Sequence, residues 1–165
     1  MIEIITATFQ DVQLIRQLAE QTFHITYLPL QPKDKVDYLF DLMYNTSSLT
    51  AQMNKGQQFI LAKDETGFLG YASYEINYKD QGKTKIHKIY IMPTAQGKGV
   101  GKELVNHIGG IARQNKNTIV LLDVYRHNPA VQFYEKIGFK KVGEQITEVG
   151  NGFVMDDFVM EKSVS

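Results

Sequence analysis

The sequence predicts a mixed α/β fold: a mostly antiparallel central sheet that carries one parallel β-α-β crossover, with helices on its flanks. Three observations lead there. Apolar, strand-like runs at 58–63, 68–78 and 85–92 follow one another across short turns, the pattern of an antiparallel meander. The last of them feeds a glycine-rich turn, a helical pattern over 100–116 and another apolar run at 118–124, which makes a crossover between parallel strands. The chain then closes on two runs, 139–147 and 153–162, folded about Gly150-Asn151-Gly152. A length of 165 residues suits one domain, 1–165, with a real core.

Each element follows from local residue choice. Residues 2–6 are rich in β-branched side chains and read as a strand. Thr8 and Asp11 form a capping box with Asp in place of the usual Glu. The helix they start has Val12, Ile15, Leu18, Ala19 and Phe23 inward. Tyr27-Leu28-Pro29-Leu30 breaks it. Pro32 suits the first position of a second helix, with Val36, Leu39, Phe40 and Met43 inward and Asp34, Asp37 and Asp41 outward. A short helix over 48–55 ends at Gly56. Asp64-Glu65-Thr66-Gly67 and Asp80-Gln81-Gly82 are turns between strands. Pro93, with no N–H for a ladder, stops the strand at 85–92. Asn128-Pro129 opens a helix over 130–137 that Gly138 ends.

Composition narrows the chemistry. There is no cysteine, so no disulfide, thiolate metal site or cysteine nucleophile. The four histidines are scattered without metal-ligand spacing, so no metal is expected. No apolar run approaches the ~20 residues of a membrane span. Met1-Ile2-Glu3-Ile4-Ile5 lacks the charged start and cleavage site of a signal peptide, so a cytoplasmic protein off the membrane is expected. Net charge is zero and no basic helix stands out, so nucleic acid is not an expected partner. Charge is uneven along the chain: residues 1–78 carry 5 Lys+Arg against 9 Asp+Glu, and residues 79–141 carry 12 against 4. A basic middle suits an anionic ligand, and the acid-rich first part a cationic one.

The strongest signal follows Pro93. Gly97, Gly99 and Gly101 alternate, and Val100, Leu104, Val105 and Ile108 then mark one face of a helix. The first N–H groups of a helix have no internal acceptor, and the dipole there favours an anion. Glycine lets the backbone take φ > 0 and approach a ligand closely. A phosphate site is expected. It is not a P-loop, because Gly97 to Lys102 is one residue short and Glu103 stands where a hydroxyl would bind magnesium. GxGxG is also a poor dinucleotide fingerprint, although Asp123 sits near where a ribose-binding acid would be, and that reading stays open.

Tyr90-Ile91-Met92-Pro93 followed by Gln96-x-x-Gly99-x-Gly101 resembles the acetyl-CoA-binding core of the GNAT (Gcn5-related) N-acetyltransferases. A second segment, from Asn128 through Ala130, Phe133 and Tyr134 to Gly138-Phe139, resembles the family's Asn-x-x-Ala-x-x-Phe/Leu-Tyr-x-x-x-Gly-Phe, with Val131 at the alanine place. The resemblance covers nearly the whole chain. It implies a sheet whose two parallel strands splay beyond the proline, with the pantetheine arm of acetyl-CoA in the gap. By resemblance, Gln96, Gly97, Lys98, Gly99, Val100, Gly101 and Lys102 hold the cofactor's phosphates. The backbone of Ile89, Tyr90 and Ile91 pairs with the arm, Asn128 bonds it, and Lys136 touches the 3′-phosphate. Taken alone, the same residues are a glycine turn, ordinary strand residues, a helix cap and a solvated lysine.

The implied reaction moves acetyl from acetyl-CoA to a primary amine by direct attack. The protonated amine, with a pKa near ~10, must first lose a proton. Tyr134 is the implied acid for the departing thiolate; by its neighbours Phe133 and Ile137 alone it reads as core. His87, alternating with Ile89 and Ile91, is the first candidate base, Glu75 on the neighbouring strand the second, and a water chain the third. His24 and Tyr27 fall where the family's acceptor groove forms. The opening, Ala7 to Tyr27, bears a fainter likeness to polyamine acetyltransferases of the PaiA type. The acceptor is therefore expected to be an amine of a small molecule or peptide. A non-catalytic CoA-binding module on the same fold is the alternative. The closing hairpin could pair with a second copy in a homodimer.

Overall fold

The computed structural model describes residues 1–164. Its seven strands are β1 (Glu3–Thr6), β2 (Gln58–Asp64), β3 (Gly67–Glu75), β4 (Lys83–Ile91), β5 (Ile119–Tyr125), β6 (Lys140–Gly150) and β7 (Phe153–Ser163). They hydrogen-bond in the order β1-β2-β3-β4-β5-β7-β6. The helices are α1 (Val12–Glu20), α2 (Phe23–Tyr27), α3 (Lys33–Tyr44), α4 (Thr46–Asn54), α5 (Val100–Gln114) and α6 (Ala130–Lys136). This is the predicted class: a mixed, mostly antiparallel sheet with one parallel pair and flanking helices. No helix among the described residues is long and apolar enough to cross a membrane. The chain forms two compact units, one of Met1–Glu75 with His87–Ile108, the other of Ile76–Ile86 with the chain from Gly109 onward.

In the first unit β1, β2 and β3 pair antiparallel, with Ile5 opposite Leu61 and Leu61 opposite Tyr71. Phe59, Ile60, Leu61 and Ala62 are all buried, so β2 is covered on both faces. The Thr8–Asp11 capping box forms as expected, with Thr8 N–H donating to Asp11 Oδ2 at 2.8 Å. It caps a single 3-10 turn, Phe9–Asp11, that leads into α1. Helix α1 ends at Glu20, earlier than the inward Phe23 suggested, and Phe23 opens the separate α2. Thr22, whose Oγ1 donates to the Leu18 carbonyl at 2.9 Å, sits in the gap. Pro32 is the cap of α3, one place before its first residue. Helix α4 starts at Thr46 because the Asn45 side chain accepts the Ser48 amide at 2.8 Å.

In the second unit the start of β4 pairs with β5 in the parallel sense predicted. β4 and β5 are parallel, with register from Lys83↔Ile119 to Ile86↔Leu122, and β4 itself runs on to Ile91. β7 pairs antiparallel with β5, and β6 lies outside β7. The strand expected at 68–78 ends at Glu75, because Asn77, Lys79 and Asp80 take φ of 54°, 53° and 55° and cannot continue a ladder. That turn is held by buried Asn117. Its Oδ1 accepts from Asn77 N at 3.0 Å and Thr84 Oγ1 at 2.8 Å, and its Nδ2 donates to Asn77 Oδ1 at 2.6 Å.

Asn117→Ala strands the Thr84 hydroxyl and the Asn77 amide. Leaving that buried hydroxyl unpaired costs ~1–3 kcal/mol, while the amide of exposed Asn77 turns to water, so we expect urea unfolding to report about 1–3 kcal/mol lost, against almost none for exposed Asn115→Ala.

Candidate active site

The glycine segment lies in the first unit and is built in three steps. After β4, residues Pro93–Ala95 make one 3-10 turn, and buried Ala95 anchors it with its amide on the Met92 carbonyl at 2.9 Å. Gly97 and Gly99 then take φ of +82° and +79°. A Cβ at either would meet nothing within 4 Å, so backbone conformation and not packing demands glycine. Gly101 differs: it lies in the first turn of α5 without a positive φ. Glu103 N–H bonds the Gly99 carbonyl at 3.1 Å. The amides of Val100, Gly101 and Lys102 therefore belong to the first turn, where an α-helix supplies no internal acceptor. Val100 is buried, while Gln96, Lys98 and Lys102 are exposed, and Gln96 Nε2 donates to the Ile91 carbonyl at 3.4 Å. The Lys98 amide is taken up within the turn by the Ala95 carbonyl at 3.4 Å, so the arrangement is a helix start with its first-turn amides and two lysines beside it, suited to a polyphosphate.

The preceding strand is shaped by a residue the sequence reading passed over. A Cβ on Gly70 of β3 would stand 2.6 Å from the Tyr90 carbonyl oxygen and 3.3 Å from Ile91 Cα. The missing side chain lets β3 approach the backbone of Tyr90 and Ile91. Met92 N–H, donating to the Leu69 carbonyl at 2.8 Å, holds it there. Ile89, Tyr90 and Ile91 are all half-buried.

Tyr90 turns its ring into an aromatic cluster, 5.6 Å from Tyr71 and 6.0 Å from Phe23 between centroids. Its hydroxyl lies 3.0 Å from that of Tyr27 on α2. His24, one helical turn before Tyr27, places Nε2 2.9 Å from Asp37 Oδ1 on α3. Lys33 and His24 hold the Asp37 carboxyl below the usual range. The two residues expected to line an acceptor groove thus tie α2 in two directions, to β4 and to α3. Deeper in, the Tyr44 and Tyr71 hydroxyls are 2.7 Å apart, and burial raises both phenols well above their ordinary value. Neither Tyr44 nor Tyr71 was singled out by sequence, since their aromatic partners are far away along the chain.

Also in the first unit, His87 Nε2 lies 3.0 Å from Glu75 Oε1. The two candidate bases are one hydrogen-bonded pair. Lys88 next to it is buried, with Nζ 2.7 Å from Gln52 Oε1 and over the rings of Tyr44 and Phe59. Its position was legible in retrospect: Thr84, Ile86 and Lys88 alternate on the buried face of β4.

In the second unit the Asn128 side chain accepts the Ala130 amide at 2.9 Å, one place before Pro129, which holds the cap position of α6. Tyr134 on α6 is buried, edge-on to Phe133 and Phe139 at 5.4 and 5.6 Å. Lys136 is exposed in the last turn of α6. Asp123, the residue that left a dinucleotide reading open, is bonded to Lys85 at 3.0 Å. Burial pulls the Lys85 pKa down, but the charge and hydrogen bond of Asp123, with Tyr78, outweigh it and leave it above the ordinary lysine value. That pairing and a mixed sheet in place of a doubly wound one overturn the dinucleotide reading. Among the described residues no three His, Cys, Asp or Glu converge to hold a metal.

Comparison with known proteins follows the same lines. The family model described as an acetyltransferase (GNAT) domain matches residues 28–162. The uncharacterized N-acetyltransferase YuaI of Bacillus subtilis is 24% identical over 152 residues, covering 90% of this chain and 86% of YuaI. The crystal structure of the PaiA N-acetyltransferase of Thermoplasma acidophilum, in complex with coenzyme A, superposes with a TM-score of 0.80 at 22% identity, covering 99% of both chains. The spermidine/spermine N-acetyltransferase SpeG of Vibrio cholerae superposes with a TM-score of 0.65 at 22% identity, covering 99% of this chain and 93% of SpeG. At such identities the structural likeness establishes a shared fold.

Gly70→Ala forces β3 and the Tyr90–Ile91 backbone apart. Overpacking of this kind costs ~1–3 kcal/mol, so the melting temperature should fall while Gly143→Ala, with open space around its Cβ position, leaves it nearly unchanged.

Proposed function

The chain belongs to the GNAT acetyltransferases, and we propose that it transfers acetyl from acetyl-CoA to a primary amine by direct attack of the amine on the thioester. It is an acyltransferase that needs no covalent intermediate, in keeping with the absence of cysteine. The observation that carries the reading is the amide-lined turn at Gly97 and Gly99, leading into α5 beside Lys98 and Lys102. We read residues 1–165 as one acetyltransferase domain of a cytoplasmic protein.

Roles follow from chemistry. The amides from Gly97 to Lys102 receive the diphosphate of the cofactor, with Gln96 bracing the turn. The backbone of Ile89, Tyr90 and Ile91 pairs with the pantetheine arm, Asn128 adds a bond to it, and Lys136 reaches the 3′-phosphate. Attack generates a tetrahedral oxyanion, which a strand amide such as that of Ile91 stabilises. The departing thiolate, whose conjugate thiol has a pKa of about 8.5, takes a proton from Tyr134. Before attack, the His87–Glu75 pair relieves the ammonium of its proton.

Within the amines a polyamine is favoured. SpeG, by its name, acts on spermidine and spermine. In this chain Asp34 and Asp41 are exposed on α3, and Asp37 is held ionised by Lys33 and His24. The aromatic surroundings of His24 and Tyr27 suit the methylene stretches between a polyamine's charges. An acceptor screen over spermidine, spermine, lysine peptides and amino sugars, read by mass spectrometry, tests this. Monoacetylated polyamine is the expected product, and acetylation confined to peptides or sugars would replace that class.

Two substitutions test the assigned roles. Gly99→Glu puts bulk, strain and negative charge into the phosphate turn, and calorimetry should find no CoA binding. Tyr134→Phe should keep CoA affinity and lower kcat by about a hundredfold; an unchanged kcat removes Tyr134 from the mechanism.

A further inference from the structure

We infer that Glu75 is a positioning residue, which fixes the tautomer and orientation of His87 so that the imidazole, and not the carboxylate, takes the proton of the acceptor amine. The inference rests on the transfer reaction proposed above and assigns a division of labour within it. The juxtaposition is direct. Glu75 is the last residue of β3 and His87 lies on β4, so both are carried by strands of the same unit. Their side chains meet at 3.0 Å with 28% and 17% of their surface exposed, so the pair is half-buried.

The chemistry sets which group does what. A carboxylate only accepts, so the Nε2 facing Glu75 carries the hydrogen and the lone pair of the neutral ring is on Nδ1. An imidazole is intrinsically a stronger base than a carboxylate, so the ring is the group assigned the proton. His87 also shares its side of β4 with Ile89, two residues on and roughly 6.6 Å along a strand. The neighbouring charges have their own partners. Lys88 is bound by Gln52 and Gln57, Lys85 by Asp123 and Tyr78, and Tyr74, before Glu75, donates to Gln58. Lys83, at the start of β4, is paired with Glu161.

The proton and electron balance closes without another reactant. The ammonium N–H bond breaks and an Nδ1–H bond forms on His87. The freed nitrogen lone pair makes the C–N bond, and collapse of the tetrahedral intermediate breaks the C–S bond. Tyr134 protonates the thiolate, and the second proton shed by the new amide nitrogen restores Tyr134 through solvent. The imidazolium, stabilised by the Glu75 carboxylate, returns its proton to water.

The test combines imidazole ¹⁵N NMR on the full chain with kinetics. The chain has four histidines, and His87→Gln assigns the signal of interest. In the native protein His87 should be the Nε2–H tautomer. In Glu75→Gln, which keeps the shape and removes the charge, its titration should move to lower pH, because the imidazolium has lost its partner. With an amine found by the acceptor screen, Glu75→Gln should lower kcat at least about tenfold. The KM for acetyl-CoA should hold, and the acid limb of the pH profile should shift in step with the NMR titration. Glu75→Ala should behave as Gln does; if Ala does not fold, the isosteric Gln decides. An Nδ1–H tautomer in the native protein, an unmoved His87 titration, or a native kcat in Glu75→Gln would each overturn the assignment. If no amine is acetylated, the transfer reading fails by itself, and the NMR measurement still decides whether Glu75 orients the ring.

Discussion

The rest of the structure depends on one reversal of the backbone. Between the end of β4 and the start of α5 the chain must turn into a helix whose first amides have no acceptor within the helix. Two residues at positive φ, Gly97 and Gly99, make that possible, and any side chain there is strained although the space is empty. On the strand side, Ala95 and the Met92 amide clamp the turn. On the helix side, Val100, Leu104, Val105 and Ile108 are all buried, so α5 cannot drift away from the core. The turn is thus made of backbone and held by apolar packing, with the exposed Lys98 and Lys102 beside it.

Around that turn, the first unit solves a packing problem with tyrosines. Phe23 contacts Tyr27, Phe40, Tyr44 and Tyr90, which brings α2, α3 and β4 together. Phenol rings fill the space as phenylalanine would, but their hydroxyls must be satisfied. They pair with one another, Tyr44 with Tyr71 and Tyr27 with Tyr90. Tyr90 therefore belongs to two structures at once. Its backbone is part of the strand end that Gly70 allows β3 to approach, and its hydroxyl ties down α2. In the proposed enzyme the same residue would link the cofactor strand to the acceptor side.

Much of this was legible in the sequence, and what was not has physical reasons. Elements set by local chemistry were read well: the Thr8–Asp11 box, the stop at Pro93 and the turn at Gly150-Asn151-Gly152 all fall where expected. Errors of boundary arose where distant residues decide. The strand expected to reach residue 78 ends at Glu75 because Asn117, forty residues on, captures Asn77 in a left-handed turn. Helix α4, expected from residue 48, starts at Thr46 because Asn45 caps it by accepting the Ser48 amide. His87 and Glu75 were each visible as candidates, but their union depends on the register of two strands that no single segment encodes. Gly70 carried no local signal, since only the Tyr90 carbonyl across the sheet explains why a side chain is excluded. Membership in the acetyltransferase family was readable from the two motifs; the acceptor was not, because its surroundings come from helices with no fixed signature.

The account is tested most directly by a crystal structure of the protein grown with coenzyme A. It predicts the diphosphate oxygens within hydrogen-bonding distance of the backbone amides between Gly97 and Lys102, and the pantetheine arm against the Tyr90–Ile91 backbone. A complex in which the cofactor's phosphates lie elsewhere, or in which this turn is closed over its own amides, would contradict it.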